Sequence, residues 1–358
     1  MPSRSCAPGA WETDPVRVLV AMSGGVDSSV AAARLLEDGH EVVGATLKLW
    51  GGESDSGCCS LADVADARRV ADRLGIDHHV FNYVAEFEAA VVDPYVAAHE
   101  RLETPNPCAA CNRHLKFGLL LRRAERLGFD ALATGHHARV EPGDGGRVLR
   151  RGVDAAKDQS YVLAMLTQAQ LERLVLPIGA LTKAEVRAAA ARLGLHTAAK
   201  PDSQDVCFVA PGTRARRAFL ASRARLGPGR LVDDETGEPL GEVAALELVT
   251  VGQRRHLGAG GPARRYVVAL DPARREARLG GLERLLTREI ALRERTWTGA
   301  PLAEGSAVLV QTSAHGEPLP ARLRAGGVEL DVPARRVAPG QLVACYVGDR
   351  VVGSGIAT

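Results

Sequence analysis

Residues 18–22 form an apolar run that ends in Ser23-Gly24-Gly25-Val26-Asp27-Ser28-Ser29, and an Ala/Leu-rich stretch of helical character follows at once. A strand, a glycine loop and a helix in that order restrict the chain to α/β folds and make the loop an anion cradle. Adjacent glycines let the backbone turn tightly and approach a charged group closely, while a helix N-terminus offers unpaired N–H groups and partial positive charge. Ser28 and Ser29 add hydroxyl donors. Asp27 would repel a phosphate, so its presence points to Mg²⁺ bridging the carboxylate and a pyrophosphate. The loop lacks the Gly-Lys-Ser/Thr ending of a Walker loop and the spacing of a dinucleotide fingerprint. The bland alternative is a Gly-Ser turn between strand and helix.

Residues 15 to about 205 continue the alternation. Strands are expected at 18–22, 41–47, 78–82 and 131–134, with helices near 28–36, 61–74 and 112–127. This rhythm predicts an α/β, doubly wound parallel sheet, whose ligands sit at the carboxyl ends of the strands. The Ser23 loop, Leu47-Lys48-Leu49-Trp50 and Thr134-Gly135-His136-His137 would converge there. Asp144-Gly145-Gly146 reads as a hairpin turn. From about Val206 the rhythm gives way to a Gly/Pro/Arg-rich stretch suited to a small mixed domain. After about Arg275 short alternating strands recur, which favours a small antiparallel barrel or sandwich.

The chain has 358 residues and 46% hydrophobic residues, enough for two or three domains with their own cores. No apolar run reaches the roughly 18–20 residues of a membrane span, and the N-terminal residues 1–14, read as flexible, have no signal pattern. A cytoplasmic protein with no membrane partner is expected. Net charge is only +2, but six arginines and no acid lie within 206–232, and seven more within 254–278 face only Asp271 and Glu276. These patches suit phosphate contact, or are solvated surface in an arginine-rich chain. Lysine is confined to Lys48, Lys116, Lys157, Lys183 and Lys200. A lysine kept against such a bias hints at a task that the wider planar guanidinium cannot perform.

Seven cysteines are spread along the chain, a poor disulfide scaffold and a better set of reactive thiols. In Thr104-Pro105-Asn106-Pro107-Cys108-Ala109-Ala110-Cys111-Asn112 two prolines rigidify a loop. Cys111 is expected near the start of the helix at Asn112, where the dipole would favour its thiolate. The spacing of Cys108 and Cys111 also suits a metal or a redox disulfide. Cys207, in Lys200-Pro201-Asp202-Ser203-Gln204-Asp205-Val206-Cys207-Phe208, is either a small buried core residue or a catalyst. His78, His79, His99, His136 and His137 show no metal-ligand spacing.

The order of SGGVDSS, TPNPxxxCN followed by Lys116-Phe117, TGHHAR, Lys157-Asp158-Gln159-Ser160-Tyr161, DSQDVCF and Gly252-Gln253-Arg254 closely resembles the bacterial tRNA-specific 2-thiouridylases of the PP-loop ATP pyrophosphatase superfamily. The resemblance runs from about Val16 to Gly353-Ser354-Gly355. It implies a PP-loop catalytic domain of the adenine nucleotide α-hydrolase-like kind over 15–208, a small central tRNA-contacting domain over 209–275 and a C-terminal β-barrel over 276–358. It implies ATP-dependent replacement of oxygen by sulfur at C2 of the wobble uridine, in tRNAs of the Lys, Glu and Gln type. Cys207 would carry a persulfide received from a cysteine desulfurase or relay protein, and Cys111 would be the second catalytic thiol.

Ala21, Met22, the loop from Ser23 to Ser29, Leu47 and Gly135 match ATP contacts, with Asp27 meeting Mg²⁺ through ATP. Asn106, Pro107 and Cys108 match contacts to the target base, and Lys157, Asp158 and Gln159 a tRNA-contacting segment. Thr312-Ser313-Ala314-His315 stands where many relatives carry an aromatic and arginine pair that touches tRNA. An iron–sulfur cluster on Cys108, Cys111 and Cys207 is the rival use of the three thiols.

Overall fold

The computed structural model describes residues 15–50, 60–202, 206–209, 212–258 and 264–358. The expectations that fall on 1–14 and 203–205 lie outside the described residues. A parallel sheet forms from β1 (Arg17–Ala21), β2 (Glu41–Lys48), β3 (His78–Asn82), β4 (Ala131–Thr134) and a short strand at Leu174–Val175, in the spatial order β3-β2-β1-β4 with Leu174–Val175 last. All four pairings are parallel. Helix α1 (Val26–Glu37) leaves the loop after β1, and α2 (Leu61–Leu74) leads into β3.

Alternation along the strands sends neighbours to opposite faces. Val18 and Val20 of β1 pack with Val26, Val30, Ala31, Val186 and Ala190 on one face. Leu19, Val43, Ala45 and Leu47 pack with Phe87, Val91, Leu115 and Phe117 on the other. Two buried faces make the sheet doubly wound, as the run of β-branched residues predicts. The order reverses between β1 and β4, and Ala21 lies beside both Ala45 and Thr134. That switch point is where a crevice opens outside the strand ends.

Six strands close the C-terminal barrel: Leu286–Trp297, Gly327–Arg335, Leu319–Arg324, Ala307–Gln311, Leu342–Val347 and Arg350–Ala357, the first pairing with the last. Its interior holds Ile290, Val308, Val310, Leu323, Val328, Val343 and Cys345. The alternate residues Leu342, Ala344 and Tyr346 belong instead to the core beside the parallel sheet. The barrel wall is therefore also a wall of the α/β core. A smaller mixed sheet is built from Tyr266–Asp271, Glu276–Gly280, Gly229–Asp233 and Pro239–Val243. Its core takes in Leu102 from the segment ahead of Asn106.

The expected hairpin around Gly145 is present as Ala138–Gly143 and Gly146–Arg151. Its second strand pairs with the barrel strand Arg350–Ala357, so it extends the barrel sheet. Among the described residues no helix is long and apolar enough to cross a membrane.

Candidate nucleotide and thiol site

The glycine loop lies at the switch point. Gly24 has φ +71° and packs so closely on α2 that a Cβ would stand 2.3 Å from the Asp63 carbonyl oxygen. Only glycine tolerates both the left-handed backbone and that approach. Ser28 and Ser29 turn inward: their hydroxyls donate to the Gly25 carbonyl at 3.1 and 2.8 Å, and the Ser23 N–H donates to Ser28 Oγ at 3.2 Å. The hydroxyls thus brace the loop, leaving the helix N–H groups as its anion donors.

Behind the loop stands the expected Thr134-Gly135-His136-His137 segment. A Cβ on Gly135 would lie 2.5 Å from the Ser28 nitrogen and 2.6 Å from the Asp27 carbonyl carbon. Gly135→Ala must therefore push the loop out of shape, and nucleotide affinity should fall by roughly tenfold or more; titration with ATP reads this, and unchanged affinity would contradict the packing. His136 accepts or donates a 2.7 Å hydrogen bond with Thr134 Oγ1, and burial, aided by Lys116 and His137, holds its pKa well below the ordinary value. It is neutral and structural.

Asp27, in the first turn of α1, is the electrostatic centre. Lys183 Nζ meets its two oxygens at 2.8 and 2.7 Å, and His137 Nε2 lies 3.2 Å from Oδ1. Burial alone would raise its pKa, but hydrogen bonds from His137 and Lys183 outweigh burial and keep it ionised. Lys183 also contacts Asp202 at 2.9 Å. Lys157 and Arg187 each reach Asp202 at 2.8 Å. Hydrogen bonds from Lys157 and Lys183 overcome burial there and bring its pKa to about 2. Lys200 completes the set: its Nζ donates to the Gly24 carbonyl at 3.0 Å and to Asp63 and Asp66 at 2.6 Å. Lys183 and Lys200, two of the five lysines, thus bind the stem 200–202 to the glycine loop, while Lys157 holds Asp202 from the other side.

Beyond that stem, Phe208 is 1% exposed and sits in a box of aromatic rings. Its ring centroid lies 6.0 Å from Trp50, 5.6 Å from Phe87, 5.4 Å from Tyr95 and 5.3 Å from Phe219. Phe219 comes from the helix Thr213–Ala221, and Arg223 lies over both Trp50 and Phe219. This anchor holds Cys207, half-buried, against the same apolar cluster that contains Cys111, which is 9% exposed.

One expectation needs correction. Cys111 does not begin a helix: Asn106 caps a helix at Pro107–Cys111 that runs on through a π-helical stretch, Asn112–Leu120. Asn106 Oδ1 accepts from the Ala109 N–H at 3.1 Å, and Pro107 takes the first position. The dipole acts within the first turn. Exposed Cys108 occupies that turn, whereas Cys111 lies one turn further in, among apolar neighbours.

Other expected contacts also find internal partners. The Asp158 carboxylate, 7% exposed, accepts from Arg151 at 2.9 Å, from the Gly152 and Ser160 N–H groups at 3.0 Å and from the Ser160 hydroxyl at 2.9 Å. Its oxygens are turned away from any surface ligand. Gln159 hydrogen-bonds both ways with the His137 backbone, at 2.9 Å each. Leu47 is buried at the end of β2. The Gln311 amide donates to the carbonyls of Ser313 and Ala314 at 2.9 and 3.1 Å.

The loop carrying Asn106 is clasped by the barrel. Thr104 donates to the Pro339 carbonyl at 2.7 Å, Gln341 donates to the Thr104 carbonyl at 2.6 Å, and Arg293 makes a two-pronged pair with Glu103 at 2.9 Å. Asn106 also hydrogen-bonds the Tyr161 hydroxyl, which donates to the Leu342 carbonyl at 2.7 Å. Among the described residues no three His, Cys, Asp or Glu side chains lie close enough to share a metal ion.

A doubly wound sheet with SGGVDSS at its switch point and a thiol-bearing segment tied to that loop defines a PP-loop nucleotide-using enzyme. The tRNA methyl transferase HUP domain family matches residues 16–211, and the aminomethyltransferase β-barrel domain family matches 287–357. The chain is 50% identical over 349 residues to the tRNA-specific 2-thiouridylase MnmA of Chloroflexus aurantiacus, covering 94% of this chain and 97% of that protein. It is 47% identical to the protein of the same name from Thermobifida fusca, covering 95% and 94%. The chain belongs to the tRNA-specific 2-thiouridylase family. Among solved structures, the U34-tRNA thiolase NcsA from Methanococcus maripaludis, with its [4Fe-4S] cluster, overlaps 60% of this chain and 66% of its own at 17% identity and TM-score 0.36. That overlap is too slight to bear on mechanism.

Proposed function

We propose that this enzyme is a tRNA-uridine 2-sulfurtransferase that uses ATP to replace the C2 oxygen of the wobble uridine with sulfur. The observation that carries the reading is the joining of a PP-loop to a thiol segment: Lys183 and Lys200 tie the stem 200–202 to Asp27 and Gly24, and Cys207 packs on the cluster that holds Cys111.

The uridine C2 oxygen attacks the α-phosphorus of ATP and pyrophosphate leaves, so that a poor leaving group becomes AMP. The terminal sulfur of a Cys207 persulfide attacks C2, and AMP departs. The Cys111 thiolate attacks Cys207 Sγ, breaking the S–S bond, leaving sulfur on uridine and a Cys111–Cys207 disulfide. An external thiol reduces that disulfide for the next turnover. Release of sulfide from the persulfide by Cys111 is the other order of events.

Mg²⁺ is held by few protein groups together with the phosphates it accompanies. Asp27 fits that role once Lys183 turns from it, and the ion would neutralise phosphate charge there. Asn106, Pro107 and Cys108 would meet the target base, and Lys157 is exposed enough to meet tRNA. The substrates are tRNAs of the Lys, Glu and Gln type, the sulfur comes from a cysteine desulfurase or relay protein, and the enzyme works in the cytoplasm.

The test follows ATP labelled at the α-phosphate. Unmodified tRNA with wobble uridine should stimulate AMP and pyrophosphate release. Equal turnover with and without that tRNA, or release of ADP, would overturn the reading.

A further inference from the structure

Lys183 was singled out in the sequence only as one of five lysines among 45 basic residues. Its side chain is 11% exposed, and its ammonium meets Asp27 Oδ1, Asp27 Oδ2 and Asp202 Oδ1 at 2.8, 2.7 and 2.9 Å. Those contacts use all three ammonium protons. Asp27 stands in the first turn of α1, so Lys183 is positioned at the anion-binding end of the loop.

Moving Lys183 leaves neither carboxylate stranded, which is the usual obstacle to breaking a partly buried ion pair. Asp202 keeps Lys157 and Arg187, each at 2.8 Å. Asp27 keeps His137 at 3.2 Å. The cluster of Lys157, Lys183 and Arg187 against Asp27 and Asp202 carries one surplus positive charge before any ligand arrives. A compact ammonium on a flexible stem can swing from a carboxylate to a phosphate, which a guanidinium held in its planar fork does less readily.

We propose that Lys183 is a phosphate-contacting residue of the nucleotide site, taking the β- or γ-phosphate of ATP, and that Asp202 is the residue that positions it. This rests on the nucleotide reading above and adds a specific consequence. The carboxylate that steers the phosphate cation lies in the segment that leads to Cys207, so the occupied nucleotide site and the thiol segment share one charged residue.

The experiment is calorimetric titration of the full-length protein with ATP and, separately, AMP in the presence of Mg²⁺. Lys183→Met should weaken ATP by about 10- to 100-fold, the worth of one charge-assisted hydrogen bond, while AMP affinity changes by less than about threefold. Lys183→Arg, which keeps the charge and the ion pairs, should recover part of the ATP affinity. Asp202→Asn should show a smaller loss confined to ATP, and thermal melting of each variant checks that the fold is kept. ATP and AMP weakened equally, or both unchanged, would overturn the role given to Lys183 while the nucleotide reading stands. Wild-type protein that binds neither nucleotide would overturn both.

Discussion

Replacing Cys207 by serine should abolish thiolation, with a loss of about a thousandfold or more, while the fold and tRNA affinity stay near wild type. The asymmetry follows from its surroundings. Cys207 is half-buried at the edge of an apolar cluster, so exchange of sulfur for oxygen costs little in packing. The sulfur atom is nevertheless the only part of the residue able to carry a persulfide, because a hydroxyl does not accept sulfur reversibly under these conditions. ATP-dependent AMP release on tRNA should survive in Cys207→Ser, since the glycine loop is intact. Thiouridine on mercury gels and AMP release, measured on the same samples, separate the two steps. A serine variant that still makes thiouridine would remove Cys207 from the mechanism.

Phe208→Ala carries the second large effect. The ring is 1% exposed among four aromatic neighbours. Truncating a buried phenylalanine costs about 3–5 kcal/mol. Phe208 lies outside helices and strands, so the loss should appear first as undocking of the segment and only partly as global unfolding. Cys207 would then leave the cluster it shares with Cys111. In reduced protein its alkylation by iodoacetamide should accelerate by about two orders of magnitude, as a 3 kcal/mol loss implies. Unchanged alkylation together with unchanged melting would show that the aromatic box does not hold the thiol.

Why these residues were harder to find than the loop is a matter of range. The glycine loop, the four long strands of the parallel sheet and the barrel strands are encoded in local pattern: a period of two, glycines at a turn, apolar runs bounded by breakers. The partners of Asp27 are not. Lys183 is 156 residues away in sequence and His137 is 110 away, and no local signal marks either as its neighbour. The same holds for the hairpin strand Gly146–Arg151, whose turn was readable but whose pairing with the barrel depends on a tertiary edge.

The misplaced start of the Cys111 helix had a readable signal. Asn106 followed by Pro107 is a cap and a first helical residue, and the pair predicts a helix starting there rather than at Asn112. Reading the prolines only as loop stiffeners concealed it. Asp158 illustrates the opposite difficulty: a charged residue in a motif looks like a surface contact, yet here its carboxylate is consumed by Arg151, Gly152 and Ser160.

The central claim is that the chain moves sulfur to tRNA through Cys207. The most direct measurement is thiolation of unmodified tRNA by anaerobically purified protein supplied with ATP, Mg²⁺ and a sulfur source, with iron content read by absorbance and thiouridine by mercury-gel shift. Thiouridine made by iron-free wild-type protein and not by Cys207→Ser is the predicted result. Thiouridine formed only when iron is bound, or none under any condition, would contradict the account.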